Sequence, residues 1–123
     1  MEFTKLQMSA IVKMAKSMVM ADGVVNEKET ELMSKELLRF GVPFSEVPSI
    51  MKMGDNMQAS DAVTIISAMD SQQKKYVTAY LGVMIAIDGD IDDSEMKLWT
   101  LISVLCNLPT MTIKEAASFL ANF

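Results

Sequence analysis

The stretch Asp22-Gly23-Val24-Val25-Asn26-Glu27-Lys28-Glu29 returns 66 residues further on as Asp88-Gly89-Asp90-Ile91-Asp92-Asp93-Ser94-Glu95. The register then holds without a gap. Met18, Asp22, Gly23, Glu29, Leu32 and Pro43 align with Met84, Asp88, Gly89, Glu95, Leu98 and Pro109. Val19/Ile85, Val25/Ile91, Ser34/Thr100 and Val42/Leu108 are near-equivalent pairs. Self-similarity at one fixed offset marks a duplicated supersecondary unit. The chain therefore reads as two copies of a hairpin, each carrying an acidic turn.

Outward from each turn, apolar residues recur at helical spacing, and no segment alternates as a strand would. Before the first turn, Met8, Ile11, Val12, Ala15, Met18 and Val19 form one stripe, with Lys5, Ser9, Lys13 and Lys16 opposite. This predicts a helix from about Thr4 to Ala21 that stops at Gly23. After the turn, Asn26 and Glu29 have capping-box spacing. Leu32, Met33, Leu37 and Phe40 supply the buried face, and Gly41 with Pro43 ends the helix.

The second copy repeats the pattern. A helix opened by Asp70 or Ser71 runs through Tyr76 to Ile87, is apolar nearly all round, and so is expected to be the most buried; Gly89 stops it. Asp92 with Glu95 opens its partner, whose predicted stripe is Leu98, Leu101, Ile102 and Leu105, before Pro109. Each unit adds a short third helix. One covers about Ser45 to Met53 with Val47, Ile50 and Met51 inward. The other covers about Thr112 to Ala121 with Ile113, Ala116, Ala117 and Leu120 inward, and Thr112/Glu115 as a capping pair. Residues 51–59 around Gly54 read as the least regular stretch, with Met51, Met53 and Met57 as a candidate partner-binding edge. A linking helix, Ser60 to Met69, joins the copies. The expectation is an all-α fold: one compact bundle of about seven helices over residues 1–123, built from two pseudo-twofold related helical-hairpin repeats. The first spans about 4–54, the link about 60–69 and the second about 70–121.

Composition narrows the function classes. Half of the 123 residues are hydrophobic and charges of both signs are interspersed, as in a globular domain. The longest apolar run, Leu81 to Ile87, falls far short of the roughly 20 residues a membrane span needs, so no integral membrane segment is expected. No signal peptide is visible, and the lone Cys106 cannot form an internal disulfide. Both point to a reducing, cytoplasmic setting. A net charge of −5 argues against nucleic acid as partner, because phosphate binding needs a basic face. Other proteins are the expected partners.

The repeated acidic turn is the candidate site. Asp88, Asp90 and Asp92 start like a calcium EF-hand loop, but that loop needs glycine at its sixth place and glutamate at its twelfth, and Asp93 and Trp99 stand there. Glu29 and Glu95 suit the positive start of their helices. Asp22 and Asp88 do not suit the negative helix end where they fall, which costs roughly 0.3–1 kcal/mol. Two accounts fit. The carboxylates brace the turn by accepting bonds from backbone N–H groups at Val24/Val25 and Asp90/Ile91. Alternatively they hold a divalent cation, with Asp22, Glu29, Asp88, Asp90, Asp92 and Glu95 as candidate ligands. Carboxylates without histidine select a hard ion such as calcium, magnesium or manganese.

The pattern of alanine or isoleucine, Asp-Gly, a hydrophobic residue two positions on, and Glu six residues after the glycine resembles the TerB-like tellurite-resistance family. It reads Ala21 to Glu29 here and again Ile87 to Glu95, within a similarity covering about residues 4–121. The resemblance implies an all-helical bundle of two pseudo-repeats, a domain found alone and fused to J-domain co-chaperones. It also implies a small cytoplasmic bacterial protein of stress or metal-ion response, acting by interaction rather than catalysis. Acidic residues at the hairpin turns are proposed metal ligands in that family, which would make Asp22, Glu29, Asp88 and Glu95 the ligands here. The chain departs from the pattern by loading Asp90, Asp92 and Asp93 onto its second turn alone.

Little supports catalysis. The chain has no histidine to act as general base and no clustered glycines to cradle phosphate. Cys106, beside Leu105, has the profile of an inert packed thiol. Of the thirteen methionines, Met8, Met14, Met18, Met33 and Met84 fall on helical stripes and read as core; Trp99, equivalent to Met33, does so too. The leading expectation is a non-enzymatic interaction module. The alternatives are a cation sensor using the acidic turns and, behind it, a metal-dependent hydrolase with no cofactor beyond the divalent ion.

Overall fold

Helix starts obey the same 66-residue offset as the sequence. The computed structural model describes residues 1–20, 27–87, 91 and 93–123. Its helices are α1 (Lys5–Val19), α2 (Glu27–Arg39), α3 (Val47–Asn56), α4 (Ala59–Ser67), α5 (Ser71–Ala86), α6 (Asp93–Leu105) and α7 (Ile113–Ala121), with a 3-10 turn at Phe44–Glu46 leading into α3. The starts of α1, α2 and α3 map onto those of α5, α6 and α7. α4 is the link. No strand occurs among the described residues, so the fold is an all-α bundle as expected.

The caps repeat as well. Thr4 Oγ1 accepts from the Gln7 N–H (3.0 Å) while Gln7 Oε1 accepts from the Thr4 N–H (2.9 Å). Asp70 and Gln73 make the same reciprocal pair at the start of α5, at 2.8 and 3.1 Å. Thr112 and Glu115 form the third capping box, as the sequence predicts. At the far ends of α2 and α6, Gly41 (φ 86°) and Asn107 (φ 55°) take the left-handed conformation. The Val42 N–H then reaches the Leu37 carbonyl (3.2 Å), and the Leu108 N–H the Ser103 carbonyl (2.8 Å). Both are Schellman closures with an apolar residue packed behind them, and Pro43 and Pro109 prevent continuation.

The core follows from α1 and α5, which pack on each other; α1 also packs on α3 and α4, and α5 on α7. Tyr76 to Leu81, with Met84 and Ile85, is buried, which makes α5 the central helix the sequence predicts. Each large apolar side chain buried this way contributes about 1.5–3 kcal/mol. The five methionines expected in the core are all buried, and Trp99 donates its indole N–H to the Thr78 carbonyl at 3.2 Å. Cys106 is buried, and burial pushes its thiol up from the ordinary range.

Four expectations are corrected. α1 is buried on more than one stripe: Ser9 is inside, its hydroxyl donating to the Lys5 carbonyl at 2.8 Å, with Ala10 and Met14 beside it. α3 runs on to Asn56, so residues 51–56 are regular helix. Gly54 is there because a Cβ would lie 2.8 Å from Val12 Cγ1. On α7, Ala116 and Leu120 are buried but Ala117 is exposed. On α6 the buried side is Glu95, Trp99, Ile102 and the following Cys106, and Leu101 and Leu105 point outward.

Candidate functional site

Of the six candidate ligands, Asp22, Asp88, Asp90 and Asp92 lie outside the described residues, as do the turn glycines Gly23 and Gly89 and the expected N-cap Asn26. Glu29 and Glu95 are described. Each is the third residue of its helix, and their exposures are 4% and 6%. Glu27 and Asp93 accompany them on the exposed side of the same first turns. Carboxylates are favoured there by the helix dipole, by about 0.3–1 kcal/mol. Burial of a carboxylate nevertheless demands compensation, and neither Glu29 nor Glu95 is left without an interaction partner. Among the described residues no group of three Asp, Glu or Cys side chains converges as a metal site would. The first helical turns of α2 and α6 therefore each hold one buried carboxylate, and the pair obeys the repeat.

A third buried carboxylate, Glu36, is absent from the expected set. Its Oε2 accepts the Tyr76 hydroxyl at 2.6 Å and lies 3.4 Å from Arg39 Nη1. Tyr76 stacks on Tyr80 (6.0 Å between centroids) and meets Phe40 edge-on at 4.9 Å, with Phe3 and Phe123 completing the cluster. Burial, then the bond to Glu36, pushes the Tyr76 hydroxyl far above the ordinary phenol range. Burial, then the Glu36 charge, does the same to Tyr80. A cavity of about 20 Å³ beside Glu36, Tyr76 and Tyr80 is the size of one water. Both phenols stay protonated near neutrality, and the Tyr76–Glu36 bond ties α5 to α2 across the core. Its sequence signal was spacing: Glu36 falls between Met33 and Phe40 on the buried stripe of α2.

The most unusual surface lies on α6. Leu101, Val104 and Leu105 are 52%, 74% and 53% exposed. Their equivalents on α2 are Lys35, Leu38 and Arg39. The same helix in the same fold thus carries charge in one repeat and an apolar face in the other, so packing does not require that face. Beside it runs a groove of about 360 Å³ lined by Thr100, Ser103, Val104, Asn107 and Met111. A second groove of about 500 Å³ continues past Met111 to Lys75, Lys114 and Phe119. The carboxylate in that groove, Glu115, is committed to its capping box. The arrangement offers apolar area and hydrogen-bonding edges.

No protein-family model matches the chain, and no curated protein does. Among solved structures, a crystal structure of a protein of unknown function from Porphyromonas gingivalis W83 superposes with a TM-score of 0.88. The two are 52% identical over 99% of this chain and 92% of that one.

Proposed function

We propose that this chain, which belongs to the same family as the Porphyromonas gingivalis protein, is a non-enzymatic interaction module of the bacterial cytoplasm, of the TerB-like type that serves stress or metal-ion responses. The observation that carries the reading is the apolar face Leu101, Val104 and Leu105 where α2 has Lys35, Leu38 and Arg39. An exposed apolar patch that the fold does not need marks a protein-docking surface. No helix among the described residues is long and apolar enough to cross a membrane. The test places a photo-crosslinking residue at position 104 and, as internal control, at position 38. Protein adducts at 104 and none at 38 are expected; no adduct at either position overturns the reading.

A second reading, cation binding at the acidic turns, is favoured by the paired burial of Glu29 and Glu95. Calorimetric titration with calcium, magnesium and manganese, on wild type beside Asp88→Asn, tests it. Micromolar binding that the substitution abolishes would make the turns a site. Absence of heat with all three ions would make them braces.

A further inference from the structure

Resting on the α6 docking face proposed above, we infer that its occupant is a second copy of this chain, docked helix to helix about a twofold axis. Leu98, Leu101 and Leu105 have the three-four spacing of a helix-pair seam, and Val104 flanks it. Leu101, Val104 and Leu105 stand in solvent on the single chain. On α2 the same register is interrupted by Lys35 and Arg39.

Charge permits a second copy here and favours one way of docking it. The chain carries −5, so two copies repel wherever their acidic faces meet. From Leu98 to Ile113 there is no charged residue, whereas residues 32–47 of the first repeat hold Lys35, Glu36, Arg39 and Glu46. An isologous contact sets one patch on itself, and an uncharged patch bears this without like-charge cost. An antiparallel pair puts Leu101 of one copy against Leu105 of the other. It also carries the acidic start of α6, at Asp93, toward the far end of the opposite helix. There Lys74 lines a groove with Asn107, Leu108 and Pro109, and Lys114 follows. The symmetry supplies that acid–base match twice. Specific dimers bury roughly 1,200–2,000 Å², more than three side chains supply. The groove beside Val104 is therefore part of the contact.

Sedimentation equilibrium across a range of concentrations tests this. Wild type is expected to show a monomer–dimer equilibrium. The combined variant Leu101→Lys, Val104→Leu, Leu105→Arg installs on α6 the residues that α2 already carries. It should raise the dissociation constant about 100-fold and leave the melting of dilute protein unchanged. Lys74→Glu, at a half-buried position, should weaken the dimer about tenfold while the melting of dilute protein reports any cost to the fold, and Asp93→Lys added to it should restore association. Monomeric wild type at millimolar concentration overturns the dimer, as does undiminished association of the combined variant. Adducts at position 104 to a different protein, alongside monomeric wild type, would sink the dimer and leave the docking reading standing. Monomeric wild type with no adduct would sink both.

Discussion

Gln7 and Gln73, equivalent residues of the two repeats, touch: Nε2 of Gln73 donates to Oε1 of Gln7 at 3.4 Å. The two capping boxes thus meet where α1 and α5 begin. Their roles differ. Gln73 also donates to the Glu2 carbonyl at 2.7 Å, tying down the N-terminal segment, while Gln7 accepts from Thr4 and from Gln73. Gln73→Glu keeps the acceptor for Asp70 but removes both donated bonds and should cost about 1 kcal/mol. Gln7→Glu keeps every bond in which the side chain accepts and gains from the helix dipole, so it should be neutral or stabilising by a few tenths of a kcal/mol. Urea unfolding of the two variants at neutral pH separates them. Equal losses would show that the contact between the boxes is not directional.

Gly82 stands where α5 meets α6 and α7. A Cβ there would come within 2.7 Å of Trp99 Cζ2 and 2.9 Å of Ala116 Cβ. In an exposed helix interior, replacing glycine by alanine gains about 1 kcal/mol. Here the clash with a ring anchored to the Thr78 carbonyl reverses the sign, and Gly82→Ala should destabilise by about 1–3 kcal/mol. Thermal unfolding monitored by tryptophan fluorescence reads both the loss and the disturbed ring. An upward shift in melting temperature would show that Trp99 has room to move.

The left-handed positions Gly41 and Asn107 give a matched pair. Nothing lies within 4 Å of a Cβ built at Gly41, so Gly41→Ala meets no steric neighbour and its cost is purely conformational, about 1–2 kcal/mol. Asn107 already adopts φ 55°. Asn107→Gly relieves that strain at some cost in unfolded-chain entropy and should change stability by less than about 0.5 kcal/mol. Differential scanning calorimetry of both variants checks this, and a large loss in Asn107→Gly would assign its side chain a role beyond the turn.

How far the sequence reached depends on which force set each feature. Helix number, the repeat, the Asp70 and Thr112 caps, and the burial of α5 were legible because they depend on local spacing and capping chemistry. The outward turn of Leu101 and Leu105 was not. Apolar residues occupy both sides of α6, so periodicity alone could not say which side meets α5; Trp99 and Cys106 took the inside, leaving the leucines out. Glu36 is not legible from spacing alone, because a charged residue on a buried stripe reads as polar until its partner, 40 residues away in Tyr76, is in place. At the acidic turns, Glu29 and Glu95 stand out by repeat position, and their burial is a tertiary fact that spacing does not carry.

Tyr76 and Tyr80 make the protein sensitive to alkali. Their hydroxyls are held protonated well above the ordinary value of 10.0, by burial first and Glu36 second. Below pH 10 both states keep the phenol protons and nothing is lost. Above it the unfolded chain releases them while the fold retains them, so the unfolded state binds fewer protons and stability falls as pH rises. Each tyrosine removes about 1.4 kcal/mol per pH unit beyond that point. Cys106, also raised by burial, begins to contribute from its ordinary 9.0. Urea midpoints measured from pH 8 to pH 11.5 should therefore decline gently and then steeply. Tyr76→Phe should remove about half of the slope added above pH 10. At neutral pH it should cost about 1–3 kcal/mol, because it takes the phenol donor from the buried Glu36 carboxylate. Glu36→Gln should leave most of the slope in place, since burial is the larger cause; a slope abolished by that change would make the carboxylate the dominant one.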